Sequence, residues 1–188
     1  MRLNTAPKQQ PTALKTPSMN ILETERLTLR TFTIDDAPFY LQLVNEPAWL
    51  RFIGNRGLTT IEQTRAAILK GPIAMHERLG FCLYLVSLKS DATPIGICGL
   101  IKRDQLEEVD LGFAYLEQFW RHGYALEAAR ATMNYAKNTL GLKRVVAITS
   151  PDNFSSIKLL EKIGFRFEKI LPFMSDKLDT KLFIHDFD

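Results

Sequence analysis

Residues 109–125, VDLGFAYLEQFWRHGYA, decide the fold of this chain. An apolar strand pattern ends at Leu116, a short polar loop follows, and a helix pattern begins at His122-Gly123. The N–H groups of a first helical turn lack partners and lie at the positive end of the helix dipole, so they suit a phosphate. Glycine there lets a ligand approach closely. A tight strand-to-helix turn would account for the same glycine, so both interpretations stay open at this point.

Strand and helix patterns alternate on both sides of this stretch. The three apolar runs in the middle are joined by hairpin-length separators, which predicts an antiparallel meander. Gly71-Pro72 is expected to break the second helix, with a further turn or two towards Leu79. The predicted strands are 23–32, 81–88, 95–102, 109–116, 143–149, 165–171 and 181–186, and the predicted helices are 37–44, 61–70, 123–140 and 153–162. This order predicts one α/β (α+β) domain around a mixed, mostly antiparallel sheet of about seven strands.

Length and composition exclude several classes of protein. The 188 residues fit one domain, and 46% hydrophobic with 24% charged residues is typical of a folded chain. No apolar run approaches the roughly 18–20 residues that span a bilayer, so no membrane partner is expected. Residues 1–20 contain three prolines and predict a flexible N-terminal extension, which leaves 21–188 as the domain.

The net charge of +3 belongs to the extension. Arg2, Lys8 and Lys15 lie there without an acidic residue, and the rest of the chain has 21 residues of each sign. A nucleic-acid binder is expected to carry a basic body or stripe, and this body is neutral. Nucleic acid is therefore not an expected partner, although binding through the extension remains a weak third alternative.

Cysteines and histidines point to a reduced, metal-free protein. Cys82 and Cys98 lie in apolar strand patterns, which suits buried thiols in a cytoplasmic protein better than a disulfide. The three histidines are far apart in sequence and form no metal-ligand spacing, so no metal is expected. The histidines are His76, His122 and His185.

Four motifs together resemble the GNAT superfamily of N-acetyltransferases. WRHGYALEAAR (120–130) resembles its acyl-CoA-binding loop and helix, in the aromatic-first form of the branch named for ribosomal-protein-alanine N-acetyltransferases. Trp120 stands where other branches have Gln or Arg. ERLTLR (25–30), PIGICGL (94–100) and NFSSIKLLEKIGF (153–165) resemble further family segments in the family's order.

The resemblance implies acetyl-CoA as cosubstrate, with helices on both sheet faces. It also implies that strands 109–116 and 143–149 are splayed and hold the pantetheine arm between them. The main-chain groups that would bond the arm are those of Ala114, Tyr115 and Leu116. The residues that would surround the pyrophosphate are Arg121, His122, Gly123, Tyr124 and Ala125. Asn153 and Ser156 would lie along the arm near the thioester. For Asn153 a helix N-cap, a cofactor contact, or both remain open.

Acetyl transfer to an amine needs a neutral nitrogen and therefore a base. Asp110 lies where the family often has a glutamate, and it is the candidate base; a solvated strand residue in a local acidic run is the alternative. Many family members have a tyrosine where this chain has Leu160. Ser156 is the substitute we name as general acid, with Tyr115 and Tyr124 as weaker candidates. A thiolate leaves readily, so late protonation by solvent would also serve.

The acceptor is expected to bind in a groove formed by the two early helices, the loop between them and the C-terminal hairpin. Five residues are candidates for that groove, although the large aromatic ones are as readily explained as core: Trp49, Arg51, Phe52, Arg56 and Phe81. The sequence therefore predicts an N-acetyltransferase acting on a primary amine, most simply a protein or peptide N-terminus, as a monomer or homodimer. A small-molecule amine as acceptor and a CoA-binding protein without turnover are the alternatives.

Overall fold

Eight strands form a single sheet in the computed structural model, which describes residues 17–172 and 179–188. The order across the sheet is β1-β2-β3-β4-β5-β6-β8-β7. Every neighbouring pair is antiparallel except β5 and β6, which are parallel. The strands are β1 Asn20–Glu23, β2 Leu27–Arg30, β3 Leu83–Leu88, β4 Pro94–Ile101, β5 Val109–Tyr115, β6 Arg144–Thr149, β7 Arg166–Leu171 and β8 Thr180–Asp186.

Six α-helices cover this sheet within the described residues. Four of them lie between β2 and β3, one follows β5, and one follows β6. They are α1 Ala37–Val44, α2 Pro47–Phe52, α3 Ile61–Ile68, α4 Ala74–Leu79, α5 Tyr124–Asn138 and α6 Phe154–Lys162. None of the helices in this part of the chain is long and apolar enough to cross a membrane.

The predicted fold class and the antiparallel meander β3-β4-β5 are confirmed. The strand count is eight rather than about seven, because a further strand precedes the one predicted over 23–32: β2 lies within that stretch, whereas β1 shares only Glu23 with it and begins at Asn20, the last residue of the predicted extension. Thr24 reverses the chain: its N–H donates to the Leu27 carbonyl at 2.9 Å, and its hydroxyl accepts from the Leu27 N–H at 3.0 Å. Residues 1–16 of the predicted extension lie outside the described residues.

The Gly71-Pro72 break takes a different form from the expected one. The chain passes through one π-helical turn, Leu69–Ile73, that joins α3 to α4. Proline lacks an N–H and its ring collides with the preceding turn of an α-helix, and a widened turn accommodates both. Pro47, which closes the pattern of α1, is itself the first residue of α2, a position where its missing N–H has no helical partner to lose.

Two hydrophobic clusters lie on opposite faces of the sheet. One packs α5 and α6 against the central strands, and small residues of α5 allow close approach to β4. Among them Ala128, Ala129 and Ala136 are fully buried. The other cluster packs α1, α2 and α3 against Leu85, Ile97 and the end of β5.

Gly99 in β4 shows how closely the sheet is packed. A Cβ at this position would lie well inside contact distance of the Cys82 carbonyl oxygen and 2.9 Å from the Leu83 Cα. Both are backbone atoms, which cannot move aside as a side chain can. Close packing of this kind leaves no space for an added methyl group.

We therefore expect Gly99→Ala to lower the free energy of unfolding by about 3 kcal/mol through overpacking. The measurement is urea unfolding followed by circular dichroism. Gly71→Ala is the matched control, because nothing lies within 4 Å of a Cβ there. Equal stability of the two variants would contradict the packing of β4 described above.

Candidate active site

A cleft opens between β5 and β6. The two strands pair only through Val109 with Val145 and Asp110 with Val146, and then separate. Beyond this point β5 continues to Tyr115 and β6 to Thr149. The cleft is therefore closed at Asp110 and open towards the ends of both strands.

Main-chain groups of β5 line the cleft. The Leu116 N–H donates to the Ile95 carbonyl on β4 at 3.0 Å. Because main-chain groups alternate in direction along a strand, Ala114 also bonds towards β4, whereas the N–H groups of Phe113 and Tyr115 face the cleft. The Tyr115 carbonyl accepts a hydrogen bond from the Trp120 indole at 2.9 Å. Of the three residues predicted to bond the pantetheine arm, only Tyr115 thus turns its main-chain N–H to the cleft.

A tight turn follows the open end of β5 and leads into α5. Arg121 and Gly123 both have positive φ, at 64° and 82°, and α5 begins at Tyr124. The His122 ring is stacked on the Tyr124 ring, with 5.6 Å between centroids. The five residues predicted around a pyrophosphate are therefore contiguous at one helix N-terminus. Unpaired N–H groups of the first turn make it suitable for an anion.

Three residues that the sequence analysis did not assign to the site hold this turn. Arg26, from the β1–β2 connection, donates to the His122 carbonyl at 3.0 Å and to Glu127 at 2.7 Å. The Thr24 hydroxyl also donates to Glu127. The motif ERLTLR contains Arg26, but local sequence carries no sign that a residue about 100 positions away contacts α5.

Asp110 is buried at the closed end of the cleft, with 1% of its surface exposed. The Arg103 Nε donates to its Oδ2 at 2.6 Å, and the main chain of Ile148 on β6 lies close enough to the carboxyl group to lower its pKa. Burial raises the pKa of Asp110 to about 6, against the opposing effect of the Arg103 guanidinium. The solvated alternative for Asp110 is therefore wrong, because the side chain points inward.

Asn153 caps the N-terminus of α6, which is one of the roles that the sequence left open for it. Its Oδ1 accepts from the Ser156 N–H at 3.1 Å. Ser156 is half-buried, and Leu160 is fully buried in the cluster beneath α5 and α6. Asn153 and Ser156 follow the end of β6 at Thr149, which lies three residues, or roughly 10 Å of strand, beyond the Val146 that pairs with Asp110.

The candidate acceptor residues divide between core and surface. Trp49 is buried beside Tyr40, and Phe81 is buried in the cluster on the other face of the sheet, so both belong to the core. Arg51 and Arg56 are exposed. Arg51 forms an ion pair with Asp152 at 2.9 Å, which links α2 to the loop before α6.

Within residues 17–172 and 179–188, no group of three or more His, Cys, Asp or Glu side chains is arranged to hold a metal ion. Cys82 and Cys98 are both buried and free.

Comparison with known proteins places this geometry among acetyltransferases. Residues 26–166 match the family model described as acetyltransferase (GNAT) domain. An uncharacterized N-acetyltransferase of Bacillus subtilis (strain 168), YoaA, is 30% identical over 152 residues, which are 80% of this chain and 85% of that protein.

Solved structures share the fold. An acetyltransferase from Agrobacterium tumefaciens str. C58 superposes with a TM-score of 0.74 at 27% identity, over 94% of this chain and 98% of that one. RimL, a ribosomal L7/L12 α-N-protein acetyltransferase solved in complex with coenzyme A, gives a TM-score of 0.77 at 21% identity, over 89% and 98% of the two chains.

Removing the Asn153 cap tests the local structure of α6. We expect Asn153→Ala to lower the free energy of unfolding by about 1 kcal/mol, because the Ser156 N–H loses its acceptor. Asn153→Ser keeps a capping oxygen and is expected to recover most of this loss. Thermal unfolding of both variants provides the measurement, and an unchanged Tm for Asn153→Ala would contradict the cap.

Proposed function

This chain belongs to the GNAT family of acetyltransferases, and from that premise we propose that it transfers an acetyl group from acetyl-CoA to a primary amine, with a peptide or protein N-terminus as the acceptor. The observation that carries the proposal is the separation of β5 from β6 beyond Asp110. The cleft leads from a buried carboxyl group to a helix N-terminus suited to phosphates.

The donor is proposed to lie along the cleft. The pyrophosphate would meet the N–H groups of the turn over residues 121–125, and the amides of the arm would meet the main chain of β5. The Phe113 and Tyr115 N–H groups support this orientation because they face the cleft. Strand hydrogen bonds to an extended ligand need no particular side chain.

Asp110 is proposed to act as general base for the acceptor amine. The nitrogen attacks the thioester carbonyl carbon, a main-chain N–H of β5 stabilises the oxyanion, and collapse breaks the C–S bond and releases the CoA thiolate. The neutral amine forms the new C–N bond, the proton that its nitrogen then loses passes to Asp110, directly or through water, and the thiolate is protonated by Ser156 or by solvent. Because Asp110 is buried, a relay through water suits it better than direct contact.

A protein α-amine is the acceptor we favour. Its pKa of about 7.7–8.0 leaves a substantial neutral fraction near pH 7, whereas a lysine at about 10.4 is almost wholly protonated. A single carboxyl group such as that of Asp110 suffices to deprotonate an α-amine. The likeness to RimL, which acts on ribosomal protein L7/L12, points to the same class of acceptor.

The free, buried state of Cys82 and Cys98 supports a reducing compartment, and we place the protein in the cytoplasm on that basis.

Acetyl-CoA turnover tests the proposal directly. Free-thiol release is measured against peptides with free or blocked N-termini, peptides with lysine only, and small amines. We expect release with free peptide N-termini and a fall of about 10²–10⁴-fold in kcat for Asp110→Asn, the range for loss of a general base. Glu107→Gln, an exposed change in the same acidic run, is the control.

A binding protein without turnover is the competing function, and the Asp110–Arg103 ion pair favours it, because such a pair also serves a purely structural role. Stabilisation of the protein by acetyl-CoA without thiol release from any acceptor would establish that alternative. Absence of stabilisation at millimolar acetyl-CoA would contradict the donor site itself.

The pH profile gives a further test. Asp110 acts as a base only when ionised, and its pKa is raised to about 6, so we expect kcat/KM to fall below pH 6. This fall in kcat/KM, the acidic limb of the profile, is distinguished from titration of the substrate by measuring two acceptors whose amines differ in pKa. The limb near pH 6 should stay in place with both acceptors and disappear in Asp110→Asn; a limb that moves with the acceptor would contradict the assignment.

The hydrogen bond from the Ser156 N–H establishes the cap, and the same variants separate a cap alone from a cap that also contacts the donor. Asn153→Ser keeps the cap, so a raised KM for acetyl-CoA with an unchanged Tm would indicate a donor contact in addition to capping. A KM and a Tm that both stay at the wild-type value would assign Asn153 to the cap alone.

A further inference from the structure

Resting on the pyrophosphate site proposed above, we propose that Arg26 and Glu127 are positioning residues for acetyl-CoA. Together they hold the His122–Gly123 peptide in the orientation that presents the Gly123 N–H to the donor. Neither side chain needs to touch the donor for this role.

The hydrogen bond from Arg26 to the His122 carbonyl determines the direction of this peptide. The distance from Nη1 to the oxygen is 3.0 Å. In a planar trans peptide the C=O and the following N–H point in opposite directions. The Gly123 N–H is therefore turned away from the Arg26 guanidinium, and in the proposed arrangement it donates to the pyrophosphate.

The turn needs support from outside, because its own backbone is unfavourable. Arg121 has a φ of 64°, a left-handed conformation that a residue with a side chain seldom adopts. Arg26 contributes a second contact: its guanidinium lies 4.6 Å from the centre of the Tyr124 ring. A Cβ at Gly123 would lie 3.4 Å from the Arg26 Nη2, so the guanidinium is packed directly on the turn.

Glu127 in turn holds Arg26. Its Oε2 accepts from the Arg26 Nε at 2.7 Å, and its Oε1 accepts from the Arg26 N–H at 2.9 Å and from the Thr24 hydroxyl at 2.5 Å. Burial opposes ionisation of this carboxyl group, but the hydrogen bonds from Thr24 and Arg26 outweigh it and lower the pKa of Glu127. The first turn of α5 is thereby fastened to the β1–β2 connection.

Glu127 is a carboxylate beside the proposed phosphate site, so the direction in which its replacement changes the affinity for acetyl-CoA tests the inference. By Coulomb's law alone, removing the negative charge of Glu127 would strengthen the binding of an anion. If Glu127 acts by holding Arg26, its removal weakens binding instead. If Glu127 serves only to stabilise the helix dipole, the Tm changes and the affinity does not.

The experiment compares Glu127→Gln, Arg26→Lys and Thr24→Val with the wild-type protein. Kd for acetyl-CoA is measured by calorimetry, KM and kcat by thiol release, and Tm by thermal unfolding. We expect Glu127→Gln to raise Kd and KM about tenfold with little change in kcat, the order of a lost charge-assisted hydrogen bond. Thr24→Val removes a single bond to Glu127 and is expected to act in the same direction but more weakly.

Arg26→Lys separates geometry from charge. Lysine keeps the positive charge but cannot bond both Glu127 and the His122 carbonyl as the planar guanidinium does. We therefore expect Arg26→Lys to have a raised Kd for acetyl-CoA although the charge is kept. Arg166→Gln is the control, since it removes an arginine that bonds Asp186 and Glu168 at the far edge of the sheet. S-acetylpantetheine, which lacks the pyrophosphate, should serve as donor equally well in the wild type and in Glu127→Gln.

The inference is overturned if Glu127→Gln binds acetyl-CoA as tightly as the wild type or more tightly, or if Arg26→Lys retains wild-type affinity. Equal loss with S-acetylpantetheine would also contradict it, because the defect would then lie outside the pyrophosphate turn. A wild-type protein that binds no acetyl-CoA would instead overturn the proposed function, so the two failures are distinguishable.

Discussion

The parallel contact between β5 and β6 is the constraint on which the rest of the structure depends. Two residue pairs join the strands, and beyond them the main-chain groups that face the gap have no strand to pair with. Unpaired main-chain donors inside a sheet are unfavourable unless a ligand or water satisfies them. A sheet that opens in its middle is therefore prepared to receive an extended polar ligand, and the pantetheine arm of acetyl-CoA has this character.

The two ends of the cleft have opposite chemistry. At the closed end a single carboxyl group is buried beside an arginine, and burial raises its pKa to about 6. At the open end a helix N-terminus and a turn with two left-handed residues present N–H groups. In the proposed mechanism the donor's anionic end and the reacting carbonyl lie at different elements, at opposite ends of β5.

The turn at the open end is supported from a distant part of the chain. Arg26 and Glu127 join the β1–β2 connection to α5, and Trp120 returns to the Tyr115 carbonyl. Each contact orders backbone that would otherwise adopt several conformations. Because the turn is ordered before the ligand binds, binding loses less conformational entropy. A first-turn acidic residue beside the proposed pyrophosphate site is consistent with this arrangement, because Glu127 is bonded to Arg26.

Local sequence determined the class of fold, the antiparallel meander and the glycine at the start of α5, because periodicity, turn residues and helix signals act over a few neighbouring positions. The candidate carboxyl group of Asp110 came from the resemblance to a known family. Only the tertiary structure decided that a separate strand β1 precedes β2, that Asp110 is buried against Arg103, and that Arg26 contacts Glu127. These features depend on contacts between residues up to about 100 positions apart, and on which main-chain groups a neighbouring strand leaves unpaired. Neither is written in a local pattern, since burial and strand pairing are properties of the assembled sheet.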